Sequence, residues 1–230
     1  MSLGYLVIFG IFALLSSLVS KRLKAKFKKY SQVRLSNGLS GKEIAERMLA
    51  AHGIVNVKIT QVAGSLTDHY NPVNRTVNLS ESVYFGKNAA SAAVSAHECG
   101  HAVQHATAYS MLSLRSKLVP IQNISGRILN IVIFFGGFLG VGMNSGVLGL
   151  TIIVACYAVL TLFSLVTLPV EFDASKRALV WMETHALVNE QELVGAKDAL
   201  KWAALTYVVA ALASAVTFLY FLFRLMNARR

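Results

Sequence analysis

His97-Glu98-Cys99-Gly100-His101 sets two imidazoles four residues apart with a carboxylate between them. The flanking residues, 91–105, are small or apolar, include no proline and carry no formal charge except Glu98. They read as a helix. On a helix, positions i and i+4 lie about 40° apart around the axis and about 6 Å along it. Imidazoles so placed can share one tetrahedral zinc, while the intervening Glu reaches a zinc-bound water as general base. Zinc lowers that water's pKa toward 7, and the carboxylate takes its proton as it attacks a polarised carbonyl. The plainer alternative is a buried helix whose histidines are satisfied by backbone groups. A Glu in so apolar a helix weighs against it, because burying an unpartnered carboxylate is costly.

A catalytic zinc usually takes three protein ligands and keeps one position for water. His105 continues the i+4 row, but it is eight residues from His97, about 12 Å along a straight helix. No single ion spans that, so His105 is expected to support the ligands or pack on the next element. The other candidates are His69, Glu171, Asp173 and His185. Glu171 follows Leu168-Pro169-Val170 at the end of a long apolar stretch, where a carboxylate is costly unless paired or bound to metal. Two readings stay open from the residues alone. Glu171 is the third ligand, or Glu171 and Asp173 pair with Lys176 or Arg177 near a membrane interface. For stabilising the oxyanion of peptide hydrolysis, the candidates are His69, Tyr70, Tyr84, Arg177 and His185. Cys99 lies two residues from either histidine and is expected to face a core.

The chain must position these groups with few charges: of 230 residues, 55% are hydrophobic and 14% charged. That composition excludes disorder and points to membrane spans. Net charge is +11, yet the cations do not lie on an aromatic-interleaved face, so nucleic acid is not the expected partner. They crowd at Lys21, Arg22, Lys24, Lys26, Lys28 and Lys29, where the positive-inside rule and attraction to anionic lipid place them. Two cysteines, Cys99 and Cys156, give no disulfide framework, which suits a reducing compartment.

Residues 3–19 form an apolar run long enough to span, with its cations after it rather than before; a retained anchor is expected, N-terminus outside. Ser40 and Glu43 form a capping-box pattern opening a helix that Gly53 stops after His52. Residues 55–59 alternate like a strand, and 64–80 read as a hairpin turning at Asn71-Pro72-Val73-Asn74. In zinc peptidases an edge strand beside the metal commonly binds substrate by strand addition. His69 and Tyr70 are therefore candidate substrate contacts, although Asp68-His69-Tyr70 can equally serve to fix the hairpin. The motif helix is expected from an Asn88 cap to Thr107. A less regular helix follows to Lys117, and Pro120 breaks it or starts the next. Further spans are expected over 128 to 141–143, 147–170 and 202–223, with a tight turn at 142–146. With the N-terminus outside, all Lys and Arg but Arg224, Arg229 and Arg230 fall on one side, which makes the large loop cytoplasmic.

His-Glu-Cys-Gly-His-Ala-Val-Gln at 97–104, Ser-Leu-Thr-Asp-His-Tyr-Asn-Pro at 65–72 and Glu-Phe-Asp-Ala-Ser-Lys-Arg-Ala at 171–178 together resemble the YugP-like membrane zinc metallopeptidases. More distantly they resemble the gluzincins of the HtpX and CAAX-prenyl-protease group. The likeness covers nearly the whole chain. It implies His97 and His101 as zinc ligands, Glu98 as catalytic base and Glu171 as third ligand. The more distant group carries Glu-x-x-x-Asp here, whereas Ser175 stands where that Asp would be. A carboxylate behind a zinc histidine would then come from Asp173 or another residue.

The expected architecture is a mainly α membrane protein of about four transmembrane helices, with a cytoplasmic zincin-like α+β catalytic domain carrying a small β-hairpin or sheet. Residues 1–20 are the anchor, 21–127 the catalytic domain, 128–170 a transmembrane hairpin, 171–201 the helix bringing the third ligand, and 202–230 the last span and basic tail. The expected function is peptide hydrolysis with one zinc per chain, on membrane-associated or hydrophobic polypeptides, in a bacterial plasma membrane. Lipid surrounds the spans, and a membrane-protein partner or homo-oligomer is compatible with them. The rival is a zinc-binding membrane scaffold or assembly subunit without hydrolysis; Glu98 argues against it, since a structural zinc needs no base. A transporter ranks last, because the spans offer few charged or broken positions apart from Gly136-Gly137.

Overall fold

The computed structural model describes residues 3–138 and 146–229. It is mainly helical, with seven helices and a small sheet among those residues. Helix α1 (Leu3–Tyr30) is followed by α2 (Gly41–Ala51), strands β1 (Lys58–Val62), β2 (His69–Asn71) and β3 (Thr76–Ser80), and the single-turn α3 (Glu81–Tyr84). Then come α4 (Ala89–Ala106), α5 (Ser110–Phe138), α6 (Gly146–Thr184) and α7 (Glu190–Ala228). Among the described residues α1, α6 and α7 are long and apolar enough to cross a membrane. The expected fourth span, 128 to 141–143, runs beyond the described residues, as does most of the turn expected at 142–146.

The chain forms two compact units. One combines residues 19–113 with 169–205; the other takes 1–18, 114–168 and 206–230. Residues 114–127, expected with the catalytic portion, thus cluster with the apolar helices. The reason is that α5 is one continuous helix with Pro120 inside it, not two helices broken there. Proline removes one backbone hydrogen bond, and the helix runs on past that loss. Within this unit Phe221 is fully buried, stacked on Tyr157 at 5.5 Å and tilted against Tyr5 at 5.5 Å.

The other unit is built on β3, the middle strand of a three-stranded sheet in the order β1-β3-β2. β2 pairs with it antiparallel and β1 parallel. The hairpin turns at 72–75, as its Asn-Pro-Val-Asn sequence predicts. β1, however, starts at Lys58 rather than Val55. The preceding residues complete the end of α2 instead: the Ile54 N–H donates to Leu49 O, and Val55 is 94% exposed. Val77 and Leu79 of β3 are fully buried and belong to one core with Ile44 and Met48 of α2 and Ala92, Ala96 and Cys99 of α4.

Small residues let α2 and α4 come close enough for side chains to bond the facing backbone. Ser95 Oγ donates to Gly41 O, and the Cys99 thiol reaches Ala45 O. Burial pushes the Cys99 thiol pKa up, so it is the inert core residue its position predicts. At α2 the capping box forms as expected, Ser40 and Glu43 bonding each other's backbone N–H. The basic end of α1 is tied to α7 by Asp198, which accepts from the Tyr30 hydroxyl at 2.6 Å and pairs with Lys26 at 2.7 Å.

Candidate metal centre

Helix α4 begins and ends where its sequence predicts, with the Asn88 side chain accepting from the Ser91 N–H and Thr107 as C-cap. It carries His97, Glu98 and His101. The facing element is α6 just past Pro169, and the two helices nearly touch at Gly100. A methyl group there would sit 2.5 Å from Ala174 O, so only glycine admits this approach. Gly100 is therefore the point of closest passage between the two helices. Glu171 lies three residues before Ala174 on the same face of α6, and the contact delivers its carboxylate to the two histidines.

The result is a convergent cluster. Glu171 Oε2 is 3.3 Å from His97 Nε2 and 3.5 Å from His101 Nε2. The imidazole rings stand edge to face, centroids 4.8 Å apart. Ligands at zinc–donor distances near 2.0–2.1 Å in a tetrahedron are about 3.3–3.4 Å from one another. The two carboxylate–imidazole spacings match that value. Burial supports the same reading, for Glu171 is 2% exposed and His101 7%. Of the alternative reading, the Asp173 half forms, with Arg177 Nε 2.6 Å from Asp173 Oδ2, whereas Glu171 turns its Oε2 to the two histidines.

Each histidine is held from behind at Nδ1, which aims Nε2 at the cluster. His101 Nδ1 is 3.0 Å from Gln104 Oε1, and Gln104 Nε2 donates to Val170 O and to Asp173 Oδ2, both at 2.8 Å. His97 Nδ1 is 3.1 Å from Ser175 Oγ. Thus Ser175, standing where the distant group carries aspartate, itself touches a motif histidine. Asp173 reaches the site only through Gln104 and is held by Arg177 Nε at 2.6 Å; the guanidinium also sits over the Tyr109 ring at 5.9 Å. Neither Gln104 nor Ser175 was singled out for this task by sequence. The available signals were a glutamine one turn past His101 in an apolar helix and a serine one turn past Glu171.

Other expected residues go elsewhere. His105 does not back the ligands; its Nδ1 is 2.7 Å from the Tyr70 hydroxyl, because its eight-residue offset carries it down the helix to the hairpin. His69 has Nδ1 2.8 Å from Thr67 O and Nε2 3.2 Å from Asn78 Nδ2. Asp68 accepts from the Ser80 N–H at 2.7 Å. These bonds fix the hairpin, the plainer of the two readings. His185 bonds Trp181 O at a helix end, and Tyr84 packs on Phe85. Glu98 is buried, 7% exposed, on the flank of the motif helix next to His101.

In the metal-free state burial alone would lower the His101 pKa, but its hydrogen bond to Glu171, the Glu171 charge and Glu98 raise it.

Comparison with known proteins agrees. Residues 5–226 match the model of a family described as "Putative neutral zinc metallopeptidase". A relative from Bacillus subtilis (strain 168), named "Putative membrane protease YugP", is 41% identical over 208 residues, 90% of this chain and 90% of the relative. No solved structure matches the chain.

Proposed function

The chain belongs to this family of neutral zinc metallopeptidases, and from that premise we propose that it hydrolyses peptide bonds as a gluzincin-type membrane protease. The observation that supports it best is Glu171 Oε2 within 3.5 Å of both motif imidazoles. His97 Nε2, His101 Nε2 and Glu171 hold one zinc per chain. When bound, zinc supplies a Lewis acid that polarises the scissile carbonyl and brings the pKa of its water toward 7. Glu98 accepts the proton of the attacking water and returns it to the leaving amine. Gln104 and Ser175 fix the imidazole orientations, so little reorganisation is left for the reaction itself.

Four spans, a cytoplasmic catalytic unit and residence in the bacterial plasma membrane complete the proposal. Its support is the asymmetry of the cations and the three apolar helices. Glu171 follows the apolar part of α6 within a few residues, which favours membrane-associated or hydrophobic polypeptides as substrates. The test is peptide-library hydrolysis and metal analysis of the wild type beside Glu98→Gln and Glu171→Ala. Glu98→Gln is expected to keep one zinc and lose hydrolysis; Glu171→Ala is expected to lose the zinc. Hydrolysis persisting in Glu98→Gln removes Glu98 as base, and full zinc occupancy in Glu171→Ala removes Glu171 as ligand.

A further inference from the structure

On the flank of α6 beside the metal cluster, a groove of about 640 Å³ runs between α6 and α7, within the range of pockets that hold ligands. Leu179, Leu200 and Ala204 line it together with the half-exposed Phe172 and Val180. Lys176, Lys197, Lys201 and Glu183 also line it; among the described residues none of these four is in a salt bridge. Two of its residues adjoin the metal cluster from behind: Phe172 is the neighbour of Glu171, and Ser175 lines the groove while its Oγ stands 3.1 Å from His97 Nδ1, the ring nitrogen turned away from the converging donors.

We propose that this groove is a docking site that holds the substrate beside the reacting centre rather than in it, and that it selects an apolar polypeptide segment bearing acidic side chains. The inference rests on the peptidase reading and deepens it. From Phe172 to Glu183 the α6 wall covers roughly 16 Å at helical rise, the reach of about five residues of extended chain. Apolar side chains enter between Leu179 and Leu200, and the unpaired lysines meet carboxylates at the rim. The cations are spread along both walls, with Lys197 and Lys201 a full turn apart on α7. A single lipid phosphate would want them gathered at one point; a chain with several acidic side chains wants them spaced. The excess of three lysines over one glutamate makes the groove repel basic segments.

The test uses full-length, zinc-loaded protein in neutral detergent, carrying Glu98→Gln to prevent turnover. Fluorescein-labelled leucine-rich peptides with acidic, neutral or basic flanks are titrated by anisotropy. The acidic peptide is expected to bind about tenfold tighter than the basic one, which is the effect of two partly exposed ion pairs. Lys197→Glu/Lys201→Glu should reverse the order with zinc content unchanged. Equal affinity for the three peptides, a comparison that needs no groove variant, overturns the proposal. So does an unchanged order after charge reversal, or competition by phosphatidylglycerol but not phosphatidylcholine micelles that shows a lipid site instead. Charge-dependent binding with no hydrolysis by the wild type would remove the peptidase reading and leave the docking site standing.

Discussion

Gly100→Ala tests the contact on which the metal cluster depends. The added methyl would lie 2.5 Å from Ala174 O and 3.1 Å from Ala174 C and Cα. All three are backbone atoms, so no rotamer change relieves the clash. To restore an ordinary contact of 3.4 Å the helices must part by about 0.9 Å at this point. Metal–ligand distances tolerate about ±0.2 Å, and Glu171 lies one turn from the displaced residue. Overpacking costs about 1–3 kcal/mol, against which the better helix propensity of alanine returns about 0.5–1. The expected outcome is a less stable protein whose zinc affinity falls at least about tenfold. Chelator competition gives the affinity and thermal unfolding the stability. Gly126→Ala is the control: nothing lies within 4 Å of its added methyl, and it should leave zinc affinity alone. Wild-type zinc affinity and an unchanged melting temperature in Gly100→Ala would refute the reasoning.

Gln104→Leu strips the partner from His101 Nδ1, Val170 O and Asp173 together; zinc affinity should fall about 10- to 100-fold by chelator competition, and a fall below threefold would show that Gln104 does not position the ligand. The raised His101 pKa of the metal-free protein sets the sign of the pH dependence. Because the proton stays on the imidazole to higher pH than on a free histidine, and a ligand imidazole must be neutral, zinc affinity should weaken as pH falls through a range starting above about 6.5. In the metal-free protein the same shift contributes stability at low pH that is lost as pH rises through the folded-state pKa. Affinity flat between about pH 6 and 8 counts against the ion-pair account. Ser40→Ala opens the capping box at α2 and should cost about 1 kcal/mol in unfolding experiments without changing zinc affinity.

How far the sequence could be read depended on whether the deciding interaction is local. The bounds of α4 were legible because Asn88 caps it through a bond to Ser91, three residues away, and the α2 capping box is local in the same way. The hairpin turn declares itself in Asn-Pro-Val-Asn. β1 was misplaced because the Ile54 N–H bonds Leu49 O, a choice between helix cap and strand that alternation alone does not decide. Its parallel pairing with β3 joins segments separated by β2, and no short-range signal records that. Glu171 was conspicuous as a costly carboxylate, but its approach to α4 depends on Gly100 meeting Ala174 across more than seventy residues of chain. Ser175 and Gln104 were hidden for the same reason. Their bonding partners are chosen only when the two helices meet.

The same geometry bears on whether the cluster suits chemistry or only holds the fold together. A structural zinc is commonly closed by four protein ligands, with cysteine prominent among them. Here the nearest cysteine, Cys99, is turned into the core against Ala45 O of α2. Among the described residues the converging donors are His97, His101 and Glu171 alone. Glu98 is next to His97 in sequence and buried, yet its carboxylate is not in that convergent set. It stands about 60° around α4 from His101, beside the ligands rather than among them. Three converging donors with a second carboxylate set to one side match what the proposed hydrolysis requires, a place for water and a base to act on it, and the scaffold reading predicts neither.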